Sequence, residues 1–245
     1  MDGGGGVDAP PGVAFMDLHC HTSASFDSLA DPLKVVRAAR ARGITHLAIT
    51  DHDRIDGALQ ARDAAPDGLT IIVGEEVKTA DGDLIALFLE RAVAPGRPAR
   101  ETIAEVRAQG GLVGIPHPFD RYRGSMLKDP GLEAIGQLVD WVEAHNARVV
   151  GGDGNLRAAA FARELGLPGI AASDAHSTLE VGVAYNVVAV DPSTPEGLLA
   201  ALTNVEIVPG RASYIVRTLT PFSKLVNRAR GNGRVVPPPA GSPRE

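Results

Sequence analysis

Apolar residues in this chain fall in short, continuous runs separated by polar punctuation. The runs are VAFMDL, ITHLAIT, LTIIVG, LIALFL, GLVGIP and LPGIAAS. Each is too short for a helix and too uniformly apolar for a strand with one wet face, so the pattern predicts buried strands. The segments between them carry helix signals. Asp31-Pro32 offers an N-cap followed by proline at the first helical position, Leu33, Val35, Val36 and Ala39 line one face, and Gly43 ends the helix. A second helix spans Asn155 to Leu165 and stops at Gly166, with Pro168 beyond; Thr194-Pro195-Glu196 opens a third. Alternation of strand and helix over about 180 residues predicts an α/β fold with a largely parallel sheet or a barrel. Residues 192–231 read as a small helical appendage whose amphipathic PFSKLVNRAR caps the barrel. The Gly/Pro-rich ends, 1–13 and 232–245, are expected to be disordered.

Composition narrows the class. Apolar side chains make up 44% of the 245 residues and charged ones 22%, enough for a sizeable core. A net charge of −6 and an aromatic content of 4% argue against a protein that coats duplex nucleic acid or stacks bases in series. One cysteine excludes an intrachain disulfide framework and a thiolate-rich zinc site. No run is long enough to span a membrane, and MDGGGGVDAPPG lacks the layout of a signal peptide. A cytoplasmic protein without a membrane partner is expected.

The chemistry gathers at the ends of the apolar runs. Five of the seven histidines stand there with carboxylates beside them: DLHCHT (His19, His21), TDHD (His52), VGEEV (Glu75, Glu76), IPHP (His117) and SDAH (Asp174, His176). The C-terminal ends of parallel strands share one face, so residues distant in sequence converge there. His19 and His21, two apart on a strand, point the same way, and Cys20 faces the other side as a small apolar filler. Imidazoles with carboxylates suit Mn, Zn or Fe, and their number fits two or three divalent ions bridged by carboxylate.

In their order, DLHCHT, Asp27 in SFDS, TDHD, G-x-E, HP and SDAH resemble the PHP (polymerase and histidinol phosphatase) superfamily over residues 15–190. GEEVKTADGDLIALFL and IPHPFDR look like its stand-alone bacterial and archaeal members. The resemblance implies a distorted (β/α)7 TIM-like barrel over 14–191 with a trinuclear metal centre that hydrolyses phosphoesters. It assigns His19, His21, Glu76 and Asp174 to a first ion, Glu76 with His117 to a second, and Asp27, His52 and His176 to a third. It also selects Glu76 over Glu75. Many relatives add a histidine in the strand after the Glu motif; aligned on GDLIALFL, that place falls at Ile85, which leaves the second ion fewer protein ligands.

The chemistry expected of such a site is in-line attack on phosphorus by a metal-bound hydroxide. Asp174, His176 and Glu76 form its catalytic centre, and a metal or a protonated group (His176 or water) assists the leaving oxygen. The substrate is expected to be a small phosphorylated metabolite, a nucleotide or a short oligonucleotide. Arg148, and Arg121 with Arg123 and Lys128 in the loop after IPHP, are candidates for holding phosphate. His46 within ITHLAI reads as a packed or hydrogen-bonded core residue. His145 and Asn146 sit near a strand exit and read first as structural; Asp17, Asp51 and Asp53 either orient imidazoles or tie strand ends. Two other readings stay open: a C–N hydrolase like the amidohydrolases, and an idle PHP-like module that binds a partner. Lysine occurs only at 34, 78, 128 and 224, which leaves the first without a carbamylated lysine at a strand end.

Overall fold

Punctuation and periodicity translate directly into elements in the computed structural model, which describes residues 10, 12–120, 131–213, 216 and 219–234. In chain order they are β1 (Ala14–Asp17), α1 (Pro32–Ala41), β2 (His46–Ile49), α2 (Asp56–Asp63), β3 (Thr70–Lys78), β4 (Asp83–Leu87), α3 (Ala99–Ala108) and β5 (Leu112–Ile115). Then follow α4 (Gly131–Gly136), β6 (Trp141–Asn146), α5 (Gly154–Leu165), β7 (Gly169–Ala172), β8 (Tyr185–Val188), α6 (Pro195–Leu202), β9 (Glu206–Val208) and α7 (Leu219–Ala229). The Asp31 side chain accepts the Lys34 N–H at the start of α1, and Thr194 accepts the Gly197 N–H at the start of α6. Each thereby satisfies one of the donors a helix leaves open at its first turn. Gly166 closes α5 at φ +66°, the left-handed conformation that costs glycine least.

The sheet runs β7-β6-β5-β4-β3-β2-β1-β8-β9 and curls into a nearly closed barrel. Closure falls between β1 and β7, whose extensions pair in parallel at Cys20 and Ala175. There the Asp174 N–H donates to His19 O at 2.9 Å and the His21 N–H to Ala175 O at 2.8 Å. Asn186 laces the seam: its Oδ1 accepts from Ala171 N, and its Nδ2 donates to Ala171 O and Met16 O. Met16, Ala48, Ile72, Ile85, Leu112, Trp141, Ile170 and Val188, drawn from β1 to β8 in turn, meet in one buried cluster that fills the barrel's interior. Gly114 makes room for it, since a Cβ there would overlap the Trp141 indole. A second cluster packs Val35, Val36 and Ala39 of α1, Ala58 and Ala61 of α2, and Ile103 and Val106 of α3 against the outer faces of the strands. Burial on both faces explains the continuous apolar runs.

This is the expected α/β fold, a distorted TIM-like barrel, with two differences of detail. LIALFL forms β4, which runs antiparallel to both β3 and β5. Only Thr79 to Gly82 separate β3 from β4, too short for the crossover a parallel pair requires. Residues 192–231, read as helical, also carry β9, which pairs antiparallel with β8. The predicted disordered tails fall almost wholly outside the described residues, as do Arg121, Arg123 and Lys128. Among the described residues no helix is long and apolar enough to cross a membrane.

Candidate metal centre

Strand ends deliver the functional side chains to one mouth of the barrel. His19 and His21 leave β1 with their Nε2 atoms 2.9 Å apart, while Cys20 is buried in the outer core. Glu76, in β3, sits among four imidazoles. Its Oε2 is 3.4 Å from His19 Nε2, 3.3 Å from His21 Nε2 and 3.3 Å from His52 Nδ1, and its Oε1 is 3.4 Å from His117 Nε2. Asp174 Oδ1, at the exit of β7, lies 3.7 Å from His19 Nε2 and 3.6 Å from His21 Nε2. Asp27 Oδ2 faces His52 Nε2 at 3.4 Å and His176 Nε2 at 3.2 Å. All eight residues expected to hold metal therefore meet in one cluster. Glu75 points away, accepting the Val93 N–H, and burial pushes its carboxyl up to about 8.

Donor orientation is set by surrounding carbonyls and carboxylates. His19 Nδ1 donates to Glu143 Oε1 at 2.6 Å and His176 Nδ1 to Asp174 O at 2.9 Å, which turns each Nε2 toward the cluster. Glu143 also accepts from the His117 N–H and from Asn146 Nδ2, and the same Nδ2 donates to Asp174 Oδ2. Below His21, Asp51 accepts both the N–H and the hydroxyl of Thr22 at 2.6 Å, a contact that leaves no space for a side chain at Gly57. Asp17 accepts N–H groups from His19, Ser173 and Gly182, and Asp53 accepts that of Lys78. These three aspartates tie strand ends. His145 donates to Gly210 O and His46 lies at the opposite end of β2, so neither joins the cluster.

The donor set fits divalent cations on two observations. Both ring nitrogens of buried His117, and Nδ1 of His52, find no hydrogen-bond partner among the described residues. Such groups are costly in a protein interior unless something else binds them. Electrostatics agree. Burial opposes the charged form of His19, yet Asp174, Glu143 and Glu76 together hold its pKa well above the ordinary value, and His21 is likewise carried up to about 9. Burial also opposes ionisation of Glu76 and Asp27, but the neighbouring histidines hold both well below the usual carboxylate range. The field that draws protons onto His19 and His21 is the field a cation satisfies. His176 differs: burial pushes it down to about 3 against the pull of Asp27. That direction favours a neutral imidazole offering a lone pair. His117 at φ +24° and Asp174 at φ +52° hold backbone conformations that cost non-glycine residues about 1–3 kcal/mol, strain that clusters at functional sites.

Three functional neighbours escape sequence reading. Glu143 lies mid-strand in β6, where a register shift between Glu143 and His145 breaks the alternation that would reveal its facing. Asp83, paired with Lys78 and Arg234, lies close enough to His52 and Glu76 for the three to be able to hold a metal ion. Because β4 is inverted, its first residue reaches the mouth, while Ile85, opposite Glu76 in the hairpin, packs in the barrel's interior. Glu180 accepts the His176 N–H and pairs with Arg148 at 2.8 Å. Arg148 also donates to Thr220 Oγ1, so its fork meets protein groups in place of the open phosphate site expected for it.

A barrel whose strand ends carry a buried His/Asp/Glu cluster able to bind metal defines a class, and sequence comparison gives its family. The chain belongs to the PHP family: the PHP domain model matches residues 17–122, and a second model, PHP-associated, matches 152–206. An uncharacterized protein of Methanocaldococcus jannaschii is 32% identical over 147 residues, which are 54% of this chain and 81% of that protein. The 5'-3' exoribonuclease of Haemophilus influenzae is 44% identical over 64 residues, 26% of this chain and 23% of the enzyme. Among solved structures, a two-domain protein from Bacteroides vulgatus containing a predicted PHP-like metal-dependent phosphoesterase superposes with a TM-score of 0.68 at 21% identity. That match covers 82% of this chain and 66% of the other.

Proposed function

We propose that this chain is a metal-dependent phosphoesterase acting on a small phosphorylated metabolite, a nucleotide or a short oligonucleotide. The observation that carries the reading is the Glu76 carboxylate set among His19, His21, His52 and His117, with buried imidazole nitrogens left over for metal. His19, His21, Glu76 and Asp174 would hold one ion, Glu76 and His117 a second, and Asp27, His52 and His176 a third. When bound, divalent ions of the Mn, Zn or Fe kind supply positive charge for phosphate oxygens and make water acidic enough to act near neutral pH.

The chain's own residues prepare that chemistry. Glu143 fixes the tautomer and angle of His19, and Asn146 holds Asp174 from the side. Burial of the proposed ligands, with only His52 part-exposed, limits screening of the cluster by bulk water. The exoribonuclease relative supports the phosphodiester end of the substrate range. A manganese-supplemented screen of phosphomonoesters, linear and cyclic diesters, nucleoside bisphosphates and short oligonucleotides tests the reading, with Asp174→Ala as control. Turnover in wild type and none in the variant is the expected result. No turnover of any of these by metal-loaded protein, or equal turnover by a folded Asp174→Ala, overturns it.

A further inference from the structure

The C-terminal helix is attached to the barrel in an unusual way. Its sequence is amphipathic, yet Phe222 and Leu225 stand 58% and 68% exposed, whereas Ser223 and Asn227, one turn apart, are buried. Among the described side chains of α7 the fully buried ones are thus polar, and hydrogen bonds hold the helix there. Asn227 Nδ2 lies 3.1 Å from Ser25 O, 3.1 Å from Phe26 O and 2.9 Å from Ser28 O. An amide has two hydrogens, shared here among three carbonyls that encircle Asp27.

The rest of the segment repeats the theme. Asn232 Nδ2 donates to Ser23 O and Ala24 O, and Arg54 reaches both Ala24 O and Asn232 Oδ1. Lys224 and Arg234 both lie 5.4 Å from the Phe26 ring centroid, and that ring sits 4.9 Å from the ring of His52. Thr220 accepts from Arg148, whose ion partner Glu180 receives the His176 N–H. Contacts from residues 220–234 thus converge on the neighbours of Asp27, His52 and His176.

We propose that residues 220–234 form a clasp that sets the ligand geometry of the Asp27, His52 and His176 triad, with Asn227 as its positioning residue. The argument rests on the metal reading above and adds to it. Without Asn227, the buried carbonyls at 25 and 28 and the part-buried one at 26 lose a donor and the loop relaxes to find others, which moves the Asp27 carboxylate between them. Groups that orient a ligand without touching the ion typically cost ten- to a hundredfold in metal affinity when removed, about the range expected here.

The test is Mn2+ titration of the full chain, with bound metal counted by elemental analysis. Asp27→Asn first defines which ion the triad holds. Asn227→Ala should weaken that same ion by about ten- to a hundredfold and leave the others unchanged. The double variant should then bind as Asp27→Asn alone, because the two residues act through one site. Should Asn227→Ala fail to fold, Asn232→Ala and Thr220→Val carry the same comparison. A folded variant with wild-type affinity for every ion overturns the clasp alone. Equal weakening of all ions together with a lower melting temperature of the metal-free protein also overturns it, since that marks general support of the fold. Wild-type protein that takes up no Mn2+ removes the metal reading and the clasp together.

Discussion

The two ends of the barrel handle histidine in opposite ways. At the closed end, His46 opens β2 with both ring nitrogens occupied: Nδ1 meets Thr45 Oγ1 at 2.9 Å, and Nε2 meets Ser193 Oγ at 3.0 Å and Asp191 Oδ1 at 3.1 Å. At the mouth, imidazoles crowd one another and carboxylates, His19 and His21 turn nitrogens face to face, and those of His117 go without hydrogen bonds among the described residues. Both groups are buried, and both include carboxylate contacts. His46 finds oxygen partners for both nitrogens, whereas His19 and His21 face each other and both nitrogens of His117 lack a hydrogen-bond partner among the described residues, a deficit that a cation would make good.

The sharpest way to break this contrast is His19→Ala. It should abolish turnover and lower bound metal while circular dichroism stays native; full activity in the folded variant would show that the cluster is not the site. Chelation comes next. If the mouth depends on cations, treating metal-loaded protein with EDTA should remove stabilisation of about 3 kcal/mol for metal at a hundred times its Kd, a fall of roughly 5–12 °C in Tm. An unchanged Tm would mean that the facing imidazoles need no ion. Glu143→Gln keeps the shape of the His19 contact but removes its charge, and should weaken metal about ten- to a hundredfold with little loss of fold; calorimetric titration reads this directly. His46→Gln is the counter-test and the smallest effect, about 1 kcal/mol of stability with no change in metal content.

His46 also gives the pH dependence a sign. Burial lowers its pKa from the ordinary 6.5, with Asp191 pulling the other way. The unfolded chain then binds this proton more readily than the folded one. The contribution is complete above pH 6.5 and is lost as pH falls below it. Urea unfolding of His46→Gln should show a shallower decline below pH 6.5 than wild type. An identical slope would assign the acid sensitivity to other groups.

Much of this was legible because the relevant signals are local. Strand exits carrying His19, His21, His52, His117, Asp174 and His176 announce themselves as apolar runs ending in a ligand, and a shared face follows from parallel strands. Asp83 was hidden for the complementary reason: in an inverted strand the mouth lies at the beginning, so the exit rule points to the wrong end. Glu143 was hidden by the irregular register of β6, which no alternation in sequence records. A guanidinium suits phosphate and carboxylate equally, and only the fold shows Glu180 beside Arg148. The role of α7 lies in side-chain amides bonding main-chain carbonyls some 200 residues away, a pairing that hydropathy cannot express.

The left-handed backbone at His117 and Asp174 has a consequence for how such a protein changes over generations. Glycine at either position would relax the main chain while removing a side chain that the proposed function places on metal. On that reading, selection for stability alone would favour well-folded descendants that bind metal poorly, and selection for turnover would hold the tension in place.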